Sequence, residues 1–192
     1  HHILSSGEVL LGLVESLLDL SKLESGHQQL QFETIAPSDL VKQVVDELAH
    51  LATKKGLALT CAGDAKLRVD ADGLRMQQVV RNLLANAIKF APPDTTVTLT
   101  LEQSAQATRI SVSDEGPGIP ESELEEIFQK FVQSSSTGTG AGGTGLGLAI
   151  SREIVSAHGG RIWAMNRVDT GATFAVEWPN HAVIGSGLKG AA

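Results

Sequence analysis

Three groups of residues in this chain have types and spacings suited to binding chemistry. The first is Asn82, Asn86 and Lys89. With Asn82 at zero and about 100° per residue along a helix, all three fall within about 40° of zero. Met76, Val79, Val80, Leu83, Leu84, Ala87 and Ile88 fall on the opposite side, between about 60° and 240°. A solvated face is the ordinary reading of such a polar row. Asparagine, however, costs several tenths of a kcal/mol relative to alanine inside a helix, so two of them one turn apart are a poor choice for a face that only meets water. Amide oxygens can ligate a hard cation such as Mg²⁺, and a lysine offers a point charge to phosphate.

The second group is Asp114-Glu115-Gly116-Pro117-Gly118-Ile119-Pro120. In the strand that leads into it, Ile110, Val112 and Asp114 share one face, so a carboxylate ends a row that should point at the core. An inward carboxylate is costly unless it is hydrogen-bonded. At the mouth of a pocket it could accept a hydrogen bond from the exocyclic amine of adenine; an ordinary turn is the competing reading. The third group, Gly138-Thr-Gly-Ala-Gly-Gly-Thr-Gly-Leu-Gly147, runs straight into a helix pattern. Glycines let a ligand approach the backbone, and a helix N-terminus presents N–H groups and partial positive charge to phosphate. A flexible linker is the alternative, although a linker need not feed a well-patterned helix. Gly138, Gly140 and Gly143 fit G-x-G-x-x-G, but no buried strand precedes them and no acidic residue follows about 20 positions later, so the dinucleotide fingerprint is absent. There is also no G-K-[ST] of a P-loop.

These groups must be held by elements that the periodicity outlines. Leu10, Leu13, Val14, Leu17, Leu18 and Leu20 predict an opening helix with a wide apolar face, ended by Gly26. A short strand is expected at Leu30–Ile35. A helix is expected from Pro37-Ser38-Asp39 to Lys54-Lys55, closed by Gly56. Leu57–Cys61 reads as a strand and 73–90 as an amphipathic helix stopped by Pro92-Pro93-Asp94. Val97–Leu101 with Arg109–Ser113, and Gly160–Asn166 with Ala172–Trp178, read as two hairpins. Between the hairpins the patterns predict helices over 121–131 and from Leu146 to His158. Hairpins with interspersed helices indicate an α+β fold: a two-layer sandwich of a mixed, mainly antiparallel sheet packed on helices, preceded by a bundle helix. The expected domains are 1–26, 27–179 and a Gly-rich tail over 180–192.

Composition narrows the function classes. A length of 192 residues suits one domain with a short appendage, and 42% hydrophobic content can build a core. No apolar run approaches the roughly 20 residues of a membrane span. The single cysteine, Cys61, excludes an internal disulfide and suits a reducing compartment. A formal charge of −7 argues against nucleic-acid binding by phosphate neutralisation.

Taken together, Asn82–Phe90, Asp114-x-Gly-x-Gly118, Phe128-Gln-Lys-Phe131, Gly143-Thr-Gly-Leu-Gly147 and Gly171-Ala-Thr-Phe174 resemble, in order and spacing, the N, G1, F, G2 and final boxes of sensor histidine kinases. The resemblance covers about residues 3–179 and implies the ATP-binding fold that this family shares with gyrase and mismatch-repair ATPases. It implies ATP and Mg²⁺ as ligands, with Asn86 on the metal and Asn82 one turn earlier near the phosphates. Lys89 and Lys130 are similar to the family's basic residues on the phosphate chain, and Asn82, Lys89 and Lys130 are the expected catalytic set. Asp114 resembles the adenine reader, with Gly116 and Gly118 closing over the base and Ile119 beside it. Gly143, Thr144, Gly145, Leu146 and Gly147 resemble the phosphate loop, and Thr173 the threonine below the adenine.

The opening helix, Ser6–Gly26, resembles the second helix of the family's dimerisation and phosphotransfer hairpin. The phospho-accepting histidine is expected on a first helix outside this sequence, since His1 and His2 lack the acidic-Arg-x-Pro context that follows it in the family. The resemblance therefore implies a kinase catalytic domain that phosphorylates a histidine on a dimerisation helix. Its other implied partners are a response-regulator receiver domain, indirectly, and a second copy in a homodimer. It implies no nucleic acid, no membrane contact by this segment and a cytoplasmic location, with anchoring of the parent protein left open. A relative that hydrolyses ATP would typically carry glutamate at the first N-box position, where this chain has Asn82. A non-catalytic nucleotide-sensing or dimerisation module of the same fold is the alternative from another class.

Overall fold

The computed structural model describes residues 30–63, 68–104, 106–136 and 144–180, together with Val14, Leu17, Leu18 and Ser21, which are helical. The rest of the expected opening helix, most of the glycine-rich stretch up to Gly143, the tail from residue 181 and the boundaries of the expected domains lie outside the described residues.

Helix α1 (Pro37–Lys54) starts on a proline that needs no N–H partner, has Asp39 in its first turn and Lys54 in its last, and buries Leu40, Val41, Val44, Leu48 and Ala52. Gly56, at φ +73°, turns the chain after it. Helix α2 (Gly73–Phe90) is capped by Asp72, whose side chain accepts the Arg75 N–H at 3.1 Å. Its buried stripe comprises Met76, Val79, Val80, Leu83, Leu84, Ala87 and Ile88, the face read from the sequence. Helix α3 (Gly147–Ala157) buries Ala149, Ile150, Ile154 and Val155. At the far end of α2, Lys55 donates its ammonium to the carbonyls of Ile88 (2.9 Å) and Lys89 (2.6 Å), which satisfies part of that helix's C-terminus.

The main sheet has strand order β2-β4-β5-β7-β6, from β2 (Ala58–Gly63), β4 (Thr96–Gln103), β5 (Ala107–Ser113), β7 (Ala172–Pro179) and β6 (Arg161–Asn166). The β2–β4 pair is parallel and the other pairs are antiparallel. Alternation sets one face inward: Val97, Leu99 and Leu101 from β4, Ile110 and Val112 from β5, and Phe174, Val176 and Trp178 from β7 meet the helices in one core. Helix α2 packs against both α1 and α3, so the polar edge of α2 is held beside the start of α3.

Two elements depart from the sequence reading. Strand β1 (Glu33–Ile35) pairs antiparallel with β3 (Val69–Ala71), an element with no sequence counterpart. Three residues are too few for alternation to register, and their partner lies 36 positions away at Thr34–Asp70. The helix expected over 121–131 is instead two 3₁₀ turns, Glu121–Glu123 and Glu126–Phe128. An α-helix there would stack Glu121 on Glu125 and Glu123 on Glu126, which is unfavourable for like charges. The turns bury Ile127 and Phe128 together, and Glu123 is left to accept hydrogen bonds from Ser134 and Ser135.

The junction between the small and large sheets closes on His158. Its Nε2 accepts the Asp72 N–H at 3.0 Å, its Nδ1 lies 2.7 Å from the Ile154 carbonyl, and Phe32 packs edge-on against the ring at 5.2 Å. These partners require a neutral ring protonated on Nδ1. Burial pushes the His158 pKa below its ordinary 6.5, against opposing effects of the Ile154 bond and Asp72. A depressed histidine stabilises the fold above 6.5 and loses that contribution as pH falls from about 6.5 through the folded-state value. Urea unfolding is therefore expected to show stability falling on acidification in this window, by at most about 1.4 kcal/mol per pH unit for one proton. The variant His158→Leu should lack that component of the slope. Equal slopes in the two proteins would remove the junction's histidine from the account.

Candidate active site

Between the polar edge of α2, the segment after β5 and the start of α3 lies a cavity of about 370 Å³. Three elements deliver its polar groups. Helix α2 supplies Asn86 and Lys89 on the edge opposite its buried stripe, followed by Phe90. Burial holds the Lys89 ammonium below its usual pKa, and its Nζ sits 4.7 Å from the Phe90 ring centroid.

Strand β5 delivers Asp114, which continues the inward row of Ile110 and Val112 and is only 4% exposed. Its N–H donates to the Ala172 carbonyl at 2.9 Å, which extends the β5–β7 ladder by one residue. Its Oδ1 accepts N–H groups from Gly116 at 2.8 Å and Ala172 at 3.4 Å. Burial raises the Asp114 pKa, and the two backbone donors and Arg167 counter this only in part. A carboxylate that opens on an apolar cavity lined by Ile119, Ile127, Leu148 and Phe174 is a strong acceptor for a ligand N–H.

The start of α3 supplies the third polar element. Thr144, Gly145 and Gly147 line the cavity, and the first turn of the helix opens beside them. Gly145 has φ +68°, and a Cβ there would lie 2.8 Å from backbone atoms of Phe131, so the loop can pass only as glycine. Phe131 N–H donates to the Gly145 carbonyl at 3.0 Å, and Phe131 itself is held at φ +64° and is 60% exposed.

Of the residues singled out from the sequence, Asn86, Lys89, Asp114, Gly118, Ile119, Thr144, Gly145 and Gly147 are brought together around this cavity. Others stand behind it. Asn82 donates its amide to the Gly147 carbonyl (3.0 Å) and to Ser151 Oγ (3.2 Å), which ties α2 to the start of α3. Gly116 is buried under the Asp114 carboxylate, and Leu146 is fully buried in the core. Thr173 points to the opposite side of the sheet, where its hydroxyl lies 2.8 Å from Ser113 Oγ; the neighbours Ala172 and Phe174 line the cavity instead. Lys130 is exposed and is not among the described residues that line the cavity. Gly143 lies outside the described residues.

Phe90, Pro117, Ile127, Leu148, Ala172 and Phe174 also line the cavity without having been singled out as site residues. For Ala172 and Phe174 the strand alternation carried the signal, since Val176 and Trp178 fix the inward face of β7. The cavity thus offers an apolar slot with one buried carboxyl acceptor, Asp114, in its wall. The same cavity is lined by an amide (Asn86), an ammonium (Lys89) and the start of a helix (Gly145, Gly147). That arrangement fits a planar base with an exocyclic donor joined to a phosphate chain, with Asn86 able to ligate a hard cation.

A family model described as histidine kinase-, DNA gyrase B-, and HSP90-like ATPase matches residues 70–182. The circadian input-output histidine kinase CikA of Synechococcus elongatus is 40% identical over 183 residues, which cover 93% of this chain and 24% of CikA. Among solved structures, the catalytic domain of histidine kinase ThkA shares 32% identity at a TM-score of 0.71, over 80% of this chain and 99% of that one. Full-length ShkA in complex with AMPPNP shares 30% identity at a TM-score of 0.80, over 91% of this chain and 36% of that one. The chain spans about a quarter of the length of CikA.

Proposed function

The chain belongs to the histidine kinase-, DNA gyrase B- and HSP90-like ATPase family, alongside its histidine-kinase catalytic domains, and from that premise we propose that it is the ATP-binding catalytic part of a two-component sensor histidine kinase. It transfers the γ-phosphoryl group of ATP to a histidine on a dimerisation helix. The observation that carries this reading is Asp114, a buried carboxyl in the wall of an apolar cavity that Asn86, Lys89 and the start of α3 also line. Asp114 accepts the exocyclic amine of adenine, Ile119 and Phe174 flank the base, and Lys89 and the Gly145–Gly147 segment face the phosphates. Mg²⁺, when bound, neutralises phosphate charge; Asn86 is the residue that would hold it.

The chain's own contribution is positioning and charge stabilisation. Asn82, through its bonds to Gly147 and Ser151, keeps the start of α3 in register with the polar edge of α2. Lys130 is proposed to reach the phosphate chain from the exposed segment after the second 3₁₀ turn. In the transfer, the bond between the γ-phosphorus and the β–γ bridging oxygen breaks as a phosphorus–nitrogen bond forms to the acceptor imidazole. A homodimer through the opening helix, whose Val14, Leu17 and Leu18 are exposed, and a receiver domain downstream complete the proposed assembly. The proposed location is the cytoplasm; among the described residues no helix is long and apolar enough to cross a membrane.

The test is phosphoryl transfer in trans. Incubated with labelled ATP, the 192-residue chain alone is expected to gain no acid-labile phosphohistidine, because none of its histidines has the acceptor context. Addition of a helical hairpin with a histidine followed by acidic-Arg-x-Pro should give label on the hairpin. Hydrolysis of ATP without labelling of the hairpin would favour a phosphohydrolase, and label on His1, His2 or another histidine of the chain would contradict the assignment.

A further inference from the structure

We propose that the turn between β6 and β7 is a clasp that sets the shape of the base-binding loop, with Asn166, Arg167 and Thr170 as positioning residues for Asp114–Ile119. The inference rests on the reading of Asp114 and its cavity as the base end of a nucleotide site.

The loop Asp114–Ile119 forms one wall of the cavity through Asp114, Pro117, Gly118 and Ile119. It is poorly equipped to hold itself. Gly116 and Gly118 leave it with much conformational freedom to lose, and Gly118 stands at φ +72°. Besides the Gly116 N–H on Asp114 Oδ1 and the Asp114 N–H on the Ala172 carbonyl, its backbone is held mainly by three side chains between the end of β6 and the start of β7. Asn166 makes two bonds to Ile119: its Oδ1 accepts the Ile119 N–H at 2.8 Å and its Nδ2 donates to the Ile119 carbonyl at 2.7 Å. Thr170 donates its hydroxyl to the Gly116 carbonyl at 3.0 Å, and Arg167 Nη1 donates to the Asp114 carbonyl at 3.0 Å. The turn is itself closed by the Arg167 N–H on the Gly171 carbonyl at 3.0 Å. At Gly171 the two segments touch so closely that a Cβ would lie 2.0 Å from the Asp114 carbonyl oxygen. One further tie, Ser136 Oγ to the Gly118 carbonyl at 2.9 Å, comes from elsewhere.

None of the three side chains lines the cavity, and all three residues, Asn166 at the end of β6 and Arg167 and Thr170 in the turn after it, are exposed. An exposed turn contributes little to the core, so loss of these bonds should free the loop locally without unfolding the protein. The geometry distinguishes a positioning role from a merely stabilising one: the loop carries the base reader, so the effect belongs to base recognition and not to the phosphate end.

The experiment uses the full chain and compares Asn166→Ala, Thr170→Val and Thr170→Ser with the unaltered protein. ADP and GDP are titrated separately, with and without Mg²⁺, and thermal unfolding is recorded for each. Loss of two hydrogen bonds in Asn166→Ala should weaken ADP binding by about tenfold and narrow the ADP-over-GDP preference by a similar factor, alike with and without Mg²⁺. Thr170→Val should weaken ADP binding by about threefold, and Thr170→Ser, which keeps the donor, should restore it. Should Asn166→Ala fail to fold, the Thr170 pair carries the same comparison. An ADP preference unchanged in the variants that fold, or a loss shared equally by ADP and GDP, would overturn the clasp. An unaltered chain that binds ADP and GDP equally, or binds neither, would instead fail the nucleotide reading on which the clasp rests.

Discussion

Asp114→Asn is expected to fold at least as stably as the parent chain and to lose recognition of adenine. The two halves of this result have separate causes. The asparagine Oδ1 can still accept the Gly116 and Ala172 N–H groups that Asp114 Oδ1 accepts now. Burial raises the Asp114 pKa above its ordinary 3.8, so ionisation costs the folded state stability; the cost accrues as pH rises from 3.8 through the folded value and is constant above it. A neutral amide removes it. The amide, however, presents an N–H where the cavity now presents an acceptor, and two donors then oppose each other when adenine enters. The loss combines a charge-assisted hydrogen bond with an unpaired buried group, about 3 kcal/mol or roughly 100-fold in the affinity for ATP. Chemical denaturation and competition between ATP and GTP measure the two halves. A variant that discriminates ATP from GTP as well as the parent would show that the base lies elsewhere.

The second large effect is expected from Asn86→Ala. Asn86 stands on the cavity side of α2, away from the stripe of Met76, Val79, Leu83 and Ala87 that joins the core. Its replacement should leave the fold intact and even favour the helix by several tenths of a kcal/mol. What disappears is the amide oxygen proposed as a ligand for Mg²⁺. Affinity for ATP in the presence of Mg²⁺ is expected to fall by about 10- to 100-fold, whereas affinity without Mg²⁺ should change by no more than about twofold. Calorimetric titrations under both conditions separate the outcomes. An equal loss with and without the metal would make Asn86 a contact to the nucleotide, and no loss would remove it from the site.

What could be read from the sequence follows from the range of the forces involved. Helix α2 was legible to the residue because its stripe and its stop (Pro92-Pro93-Asp94) are both local. The inward position of Asp114 was legible because a strand fixes side-chain direction with period two. Strand β3 was not, since its existence depends on β1, 36 residues earlier. The segment 121–131 has a helical apolar spacing, yet its stacked glutamates and the burial of Ile127 beside Phe128 favour 3₁₀ turns. At β7 the box pattern pointed to Thr173, but pairing of Ser113 with Thr173 turns that side chain to the outer face and gives the cavity to Ala172. The clasp of Asn166, Arg167 and Thr170 had no local signal, because each residue acts on a backbone group about 50 positions away.

Occupation of this cavity by ATP, with its base against Asp114, underlies every role proposed above. It is tested most directly by titration of the isotopically labelled chain with ADP and Mg²⁺, followed residue by residue by amide NMR shifts. Saturable shifts are expected at Asn86, Lys89, Phe90, Gly116, Gly118, Ile119 and Gly145–Leu148, with the Mg²⁺-dependent part confined to Asn86 and its neighbours. Absence of binding, or shifts centred on the outer face of the sheet around Thr173 and Ser113, would contradict it.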